Sequence, residues 1–467
     1  MLFVAVYTYQ YAPFKSLILM KIHRIKLFNY KKFDNAEFQF HPEFTVLIGD
    51  NATGKTSILN AVATLLSTYL LGADVSPGRL SVKEDEARLL ITEKNGLLNF
   101  EPQKEVFLEA EGLHDGQPLV WKRYKNDRGR SASDLIRMSM YDFMCVSQGE
   151  DIDLPVLLYY GSGRLWDIHR NVETGKSGSR LMGYRNCLDS KSDHALFEKW
   201  FKTLQQATLQ KNKSIPALDV VKKAVIGCIP DAKNFYFDVE HDQLMIELKD
   251  SVYCPFNNLS DGYRNMVAMV ADIAHRASRL NPHFGEEAAL KAHGVVLIDE
   301  IDLHLHPKWQ RNVVDDLKKV FPQLQFIATT HSPFIIQSMA VGEVIDLNQP
   351  VISNIPLNVV VDAALPAPVA SYSSRSIEDI VEDVMGVALP QRSRRYQEMY
   401  NTAKEYYTLL EEGGDADIEK RQAIALKLDA LSAPFSEYMA YHAFLEMKRE
   451  AAGLGRSESS SEKEQEN

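Results

Sequence analysis

One short stretch of the chain carries glycines, a lysine and hydroxyl side chains at a fixed spacing. GDNATGKTS fits the pattern G-x-x-x-x-G-K-[ST] at every constrained position. The glycines let backbone N–H groups converge on an anion, the lysine adds positive charge, and the threonine hydroxyl can ligate Mg²⁺. The stretch therefore predicts a site for nucleotide phosphates. Its residues are Gly49, Asp50, Asn51, Ala52, Thr53, Gly54, Lys55, Thr56 and Ser57.

A second stretch, GVVLIDEIDLHLHP, supplies two carboxylates after an apolar run. Asp299 and Glu300 follow the run, at what should be the C-terminal end of a central strand. Open α/β sheets place their chemistry at such strand ends. We expect Asp299 to order the Mg²⁺ shell through water and Glu300 to orient or deprotonate an attacking water. The two stretches together predict ATP hydrolysis, with ATP and Mg²⁺ bound.

Two further stretches carry residues suited to phosphate recognition. LSDGYRNM places Ser260 and Gly262 at the start of a predicted helix, where a second anion could bind. THSPF places His331 directly after a buried strand, with a proline to end it.

The elements that position these residues alternate along the chain. The apolar runs FTVLI, LPVLLYY, GVVLI and QFIAT each read as a buried strand, and predicted helices lie between them. Strands alternating with helices predict an α/β fold with a largely parallel sheet. Residues 97–125 alternate apolar and polar side chains and predict an antiparallel meander.

The four motifs, in this order, resemble the ABC-type ATPase heads of the SMC, recombination-repair and overcoming-lysogenisation-defect proteins. The resemblance covers residues 20–350. It implies a P-loop ATPase head in which two copies face each other head to tail and enclose ATP. Ser260 and Gly262 would then contact the γ-phosphate held by the other subunit, and His331 would sense that phosphate. Asp302 falls where the subunit-bridging loop of the family begins.

Two assignments within this resemblance have alternatives. The loop that senses magnesium through a glutamine in this family has two candidates here. One contains Gln148, and the other is the turn after LLYYG, which contains Arg164. His304 and His306, with Asp302, have a spacing that could hold zinc. The family carries a similar L-H-P stretch for subunit contact, which favours that role over a metal site.

The sequence also predicts an order of segments. They are an extension preceding a possible natural start at Met20 (1–19), a first lobe with the P-loop (20–165), a helical insertion and hairpin (166–250), a second lobe (251–350), a helical C-terminal partner or oligomer domain (351–454) and a disordered tail (455–467).

Composition narrows the function classes. The net charge of −11 repels nucleic acid at long range, so we expect any DNA contact to come through local patches or a complex. The apolar runs are too short to span a membrane. The four cysteines form no C-x-x-C pair, which suits a cytoplasmic protein. Long heptad arms and a D-x-D nuclease strand are missing from the sequence, so we expect neither a chromosome-scale SMC role nor nuclease activity in this chain.

A short-armed head with a helical extension resembles the ATPase subunit of Septu anti-phage defence, which is also found with some retrons. LPVLLYYGSGRLW, LSDGYRNM, DEIDLHLHPKWQ and SIEDIVEDVMG carry this resemblance. It implies an oligomer that controls a separate HNH-type endonuclease. The alternative is a RecF-like DNA-binding repair ATPase, which the basic clusters at 21–32, 121–130 and 391–395 would support. A transporter subunit is a third alternative, which the meander disfavours.

Overall fold

The chain forms two compact units, which divide between Ile380 and Val381. The computed structural model describes residues 20–73, 77–78, 81–125, 133–164, 179–190, 194–349 and 372–386, with short helical stretches between 398 and 430. The predicted extension 1–19, the tail 455–467 and most of the C-terminal domain lie outside the described residues. The predicted segment boundaries at 165, 250 and 350 stay predictions.

The described part of the chain contains groups of consecutive strands separated by helices. The strands are β1 (Lys21–Tyr30), β2 (Phe33–Gln39), β3 (Phe44–Ile48), β4 (Leu89–Lys94), β5 (Leu97–Pro102), β6 (Phe107–His114), β7 (Gln117–Tyr124), β8 (Val156–Tyr160), β9 (Ala232–Asp238), β10 (Gln243–Leu248), β11 (Val252–Pro255), β12 (Gly294–Ile298), β13 (Leu324–Thr329) and β14 (Val344–Asp346). The helices are α1 (Lys55–Leu66), α2 (Asp134–Ser147), α3 (His194–Lys211), α4 (Pro216–Cys228), α5 (Asp261–Leu280), α6 (Ala288–Lys291), α7 (Pro307–Gln310), α8 (Val313–Val320), α9 (Pro333–Ser338) and α10 (Ile377–Asp383).

A parallel sheet of five strands forms the centre of the first unit. Its strand order is β14-β3-β13-β12-β8, and the register pairs Val296 of β12 with Phe326 of β13 and with Leu158 of β8. Every residue of β3, β12 and β13 is buried. Continuous apolar strands of this kind are typical of parallel sheets that are covered on both faces. The predicted α/β fold class is confirmed.

A second, antiparallel sheet has the order β2-β1-β6-β7. The predicted meander is therefore right for β6 and β7 but wrong for β5, which pairs with β4 in a separate two-stranded ribbon. The alternating pattern of β5 fits either pairing, and the pairing partner is set by the position of β4. The ribbon exposes large apolar side chains, namely Leu89, Leu90, Ile91, Leu97, Leu98 and Phe100.

The long helix α5 packs against α4 and against the parallel sheet. Fourteen of its 20 residues are buried, as expected of a helix that is covered by neighbouring elements on most of its surface. A third sheet, with the order β11-β10-β9, precedes α5 along the chain. In the part of the chain that the structure describes, none of the helices combines the length and the apolar composition that a membrane span requires.

Candidate nucleotide-binding site

The P-loop connects the buried end of β3 to the first turn of α1. Ala52 and Gly54 have φ values of +66° and +99°, a left-handed conformation that curls the backbone of the loop. A Cβ at Gly54 would lie 2.7 Å from Cζ of Phe33, so this glycine is required by space as well as by conformation. The loop therefore has the strand-to-helix position and the curled backbone that a phosphate site needs.

Lys55 closes the loop from its helical end. Its ammonium donates hydrogen bonds to the carbonyl oxygens of Gly49 at 2.6 Å and Asp50 at 2.9 Å. Burial lowers the pKa of Lys55, and the nearby carboxylate of Asp299 opposes that shift. The lysine thus holds a positive charge within the loop, where phosphate oxygens would compete for its protons.

Three side chains from three elements meet beneath the loop. The Thr56 hydroxyl donates a hydrogen bond to Oδ2 of Asp299 at 3.0 Å. The Thr329 hydroxyl donates a hydrogen bond to Oδ1 of the same carboxylate at 2.7 Å. Asp299 is only 4% exposed. Hydroxyl and carboxylate oxygens are the ligands that Mg²⁺ prefers, so the residues present fit this ion. Thr56 and Asp299 would hold it, either directly or through water.

Glu300 has an unusual backbone conformation at the end of β12. Its φ is +51°, which costs about 1 kcal/mol or more for a residue with a side chain. The backbone N–H of Glu300 donates to Thr329 Oγ1 at 2.7 Å, which helps to hold this conformation. Strained residues often cluster at functional sites, and Glu300 lines the same pocket as the P-loop.

His331 approaches this pocket from the segment after β13. Asp302 accepts hydrogen bonds from the Thr330 hydroxyl at 2.5 Å and from the His331 backbone N–H at 3.3 Å. The sequence placed Asp302 at the start of a subunit-bridging loop. The structure shows that its carboxylate also holds Thr330 and His331 in place through these hydrogen bonds. Sequence reasoning missed this contact because the two segments meet only in the folded chain.

The pocket has a volume of about 590 Å³. One side of it carries the phosphate-binding residues expected from the sequence, namely Asn51, Ala52, Gly54, Lys55, Thr56, Ser57, Asp299, Glu300 and His331. The other side was not expected and comes from the β1–β2 turn and from β4 with the turn before it: Lys31, Lys32, Asp85, Ala87, Leu89 and Ile91. Lys31 and Lys32 end the basic cluster 21–32, which the sequence offered as a DNA contact rather than as part of a nucleotide pocket, and the other four residues belong to no motif.

Ser260 and Gly262, which form the signature of the LSDGYRNM stretch, do not line the pocket of their own chain. Ser260 is exposed at the N-cap of α5, and its side chain makes no capping hydrogen bond. Gly262 is buried, and a Cβ there would overlap the carbonyl oxygen of His304. The glycine is therefore a packing requirement, while the serine hydroxyl is free to meet a group outside the helix.

The two candidates for the magnesium-sensing position lie in different places. Gln148 ends α2 and is not among the pocket-lining residues. Arg164 is 5% exposed and donates hydrogen bonds to the backbone carbonyls of Asp299 at 2.6 Å and Glu300 at 3.0 Å. Burial lowers the pKa of Arg164 to about 10, and the carboxylates of Asp299 and Glu300 oppose that shift. The turn after β8, rather than the end of α2, contacts the site.

The histidines after Glu300 have separate structural positions. His306 accepts a hydrogen bond from the Lys308 N–H at 3.2 Å and so caps α7. His304 has a φ of +60° and forms the backbone surface against which Gly262 packs. Through the close contact of His304 with Gly262, the L-H-P stretch packs against the start of α5.

A P-loop on a parallel sheet, with a threonine and an aspartate converging beneath it, defines the class of P-loop nucleoside triphosphatases. The profile of the AAA ATPase domain matches residues 20–115 and 185–336, which is more than half of the chain. The chain belongs to this family, and ATPase activity is the function that the family supports.

Individual relatives agree with this assignment. The chain is similar to a probable ATPase of retron Vc95 from Vibrio cholerae serotype O1 biovar El Tor, with 25% identity over 71% of this chain and 74% of the relative. It is also similar to the Septu protein PtuA of Bacillus mycoides (strain KBAB4), with 26% identity over 69% of this chain and 40% of the relative. The expected resemblance to Septu and retron ATPases is confirmed.

The similarity to solved structures is more distant. An SMC head bound to the C-winged helix domain of ScpA aligns over 68% of this chain and 92% of that chain, with 15% identity and a TM-score of 0.38.

Proposed function

We propose that this chain is the nucleotide-sensing ATPase subunit of a cytoplasmic anti-phage defence complex, and that it controls a separate HNH-type endonuclease. Two copies join head to tail when ATP binds and separate after hydrolysis. The chain itself is not the nuclease, and DNA can reach it through the complex. The similarity to the retron ATPase and to Septu PtuA supports the defence setting.

One observation supports the shared site most directly. The P-loop, Asp299, Glu300 and His331 line one pocket, while Ser260 lies outside that pocket with an exposed hydroxyl. A helix N-terminus attracts anions through its free N–H groups. The start of α5 therefore offers to a second protomer what its own pocket lacks.

Five residues of the pocket have roles in hydrolysis under this proposal. Lys55 binds the β- and γ-phosphates, and Thr56 with Asp299 holds Mg²⁺, which neutralises phosphate charge when bound. Glu300 orients the water and takes its proton as the water oxygen attacks the γ-phosphorus. The bond to the bridging oxygen breaks, and ADP and phosphate leave. His331 contacts the γ-phosphate and reports its loss.

The protein surface supports a macromolecular partner. Met140, Tyr141 and Met144 of α2 are all exposed, and the β4–β5 ribbon exposes a further apolar surface. Contiguous apolar surface of this kind marks interaction sites in many proteins. Both surfaces are available to the nuclease or to a second copy of this chain.

The decisive experiment combines the chain with the product of a neighbouring nuclease gene. The two proteins should copurify, and DNA cleavage should change when ATP is added. Lys55→Ala should remove this response, whereas Lys223→Ala, a control on α4 that does not line the pocket, should keep it. A nuclease that neither copurifies nor responds to ATP would refute the proposal.

A further inference from the structure

Arg164 lies behind the catalytic side of the pocket rather than in it. Its guanidinium donates to the carbonyl oxygens of Asp299 at 2.6 Å, Glu300 at 3.0 Å and Gly161 at 3.1 Å. Its Nε donates to Oδ1 of Asn265 at 2.5 Å. A guanidinium has five N–H donors in a fixed planar arrangement, so a single side chain can fix several acceptors relative to one another.

Asn265 connects this arginine to the helix that begins at Ser260. It is buried on α5 and donates from Nδ2 to the Leu303 carbonyl oxygen at 3.2 Å. One turn earlier on the same helix, Gly262 packs against the carbonyl of His304. The first turns of α5 are therefore attached to the backbone of residues 299–304 through two side chains and one close backbone contact.

The peptide groups on either side of Glu300 are held from opposite directions. Thr329 accepts from the backbone N–H of Glu300 at 2.7 Å, and Arg164 donates to its carbonyl oxygen. Because the φ of Glu300 is +51°, its backbone would relax toward an ordinary conformation if these contacts were lost. Such a relaxation would move the carboxylate relative to the P-loop.

We propose that Arg164 and Asn265 are positioning residues that hold Glu300 in its hydrolytic orientation and link it to the Ser260 end of the same chain's α5. When Ser260 meets the γ-phosphate held by a neighbouring protomer, the start of α5 is fixed. Through Asn265 and Arg164 the backbone of Glu300 is then fixed in the same protomer. Each protomer thus hydrolyses ATP fastest when its own α5 is engaged. This inference rests on the proposed hydrolysis at a shared site.

The test measures ATP binding and hydrolysis separately in Arg164→Lys and Asn265→Leu. Lysine keeps the charge but cannot reach all the acceptors at once. We expect the ATP dissociation constant to change by less than about twofold, while kcat falls about 10- to 100-fold, because small displacements of a catalytic group have effects of this order. In a Glu300→Gln background, Arg164→Lys should cause no further loss of residual hydrolysis, because both changes act through one group.

The chain offers a matched control in Arg180. Its guanidinium also donates to three backbone carbonyls, those of Leu280, Glu150 and Ile152, and its contacts involve no pocket residue. Because Arg180 is only partly buried whereas Arg164 is 5% exposed, Arg180→Lys should lower the thermal unfolding temperature less than Arg164→Lys does, and it should leave kcat unchanged.

Several results would overturn the positioning role. They are a wild-type kcat in Arg164→Lys, a fall in kcat no larger than in Arg180→Lys, equal losses of binding and hydrolysis, or an additive loss in the Glu300→Gln background. A different result would reject the shared site itself, namely full ATP hydrolysis by Ser260→Arg. If Ser260→Arg is inactive while Arg164→Lys is normal, only the positioning role is rejected.

Discussion

The two ends of the proposed ATP site differ in whether their polar side chains find hydrogen-bond partners within one chain. At the phosphate end, Asp299 is 4% exposed and accepts hydrogen bonds from Thr56 and Thr329. At the signature end, Ser260 is exposed and its side chain caps nothing. Polar groups that a fold uses for its own stability are normally paired. The contrast is consistent with the proposed shared site, in which the phosphate end is complete within one chain and the signature end contacts a second protomer.

The largest expected effect comes from removing the charge at the phosphate end. Lys55→Ala should abolish nucleotide binding, because hydrogen bonds from a charged group contribute about 1.5–3 kcal/mol each and several phosphate oxygens lose theirs. Titration with a fluorescent ATP analogue would measure the loss, with Lys223→Ala as the control. Retained tight binding would show that the phosphate end does not depend on this lysine.

The next effect separates binding from hydrolysis within the same end. Glu300→Gln should lower kcat about 100- to 1,000-fold while ATP stays bound, because an amide cannot accept the proton of the attacking water. Size measurements with ATP should then show a trapped pair of heads. If the glutamine variant turns over ATP at the normal rate, the catalytic role belongs to another residue.

A smaller effect is expected from the signature end. Ser260→Arg should leave ATP binding by the single chain intact, because Ser260 does not line its own pocket. Hydrolysis and ATP-dependent dimerisation should both fall, about 10-fold or more, because a large side chain at the start of α5 blocks closure. Ser214→Arg, at an exposed serine that precedes α4, is the matched control. Normal hydrolysis in Ser260→Arg would contradict the shared site.

The smallest expected effect concerns the stability of the fold rather than ATP binding or hydrolysis. It tests a buried histidine that belongs to neither end of the proposed ATP site. His293 precedes β12, is 1% exposed and accepts a hydrogen bond from the Met20 N–H at 3.0 Å. Burial, with smaller contributions from His114 and Lys21, lowers the pKa of His293 from 6.5 to about 3.

Because the unfolded chain binds this proton more readily, stability is fully present above pH 6.5 and is lost as the pH falls toward 3. The loss attributable to this group should approach about 1.4 kcal/mol per pH unit. Denaturant unfolding between pH 7 and 5 should show it, and His293→Asn should flatten the slope. An unchanged slope in that variant would assign the acid sensitivity elsewhere.

Part of this molecule could be predicted from short segments alone. The P-loop, the apolar strand before Asp299 and the helix that begins near Ser260 each follow from residues that are adjacent in sequence. The order of these segments was enough to predict a parallel sheet and the P-loop class. The prediction succeeded because backbone conformation, strand periodicity and strand-end chemistry are local properties.

The sequence thus determined the parallel α/β fold and the P-loop class of the protein. Only the tertiary structure decided that β5 pairs with β4, that Leu89 and Ile91 complete the pocket, and that Arg164 rather than Gln148 contacts the backbone of Glu300. The physical reason is that these contacts join segments far apart in the chain. Their partners are chosen by packing and by the need to pair buried polar groups, and a residue's own neighbours in sequence do not specify either.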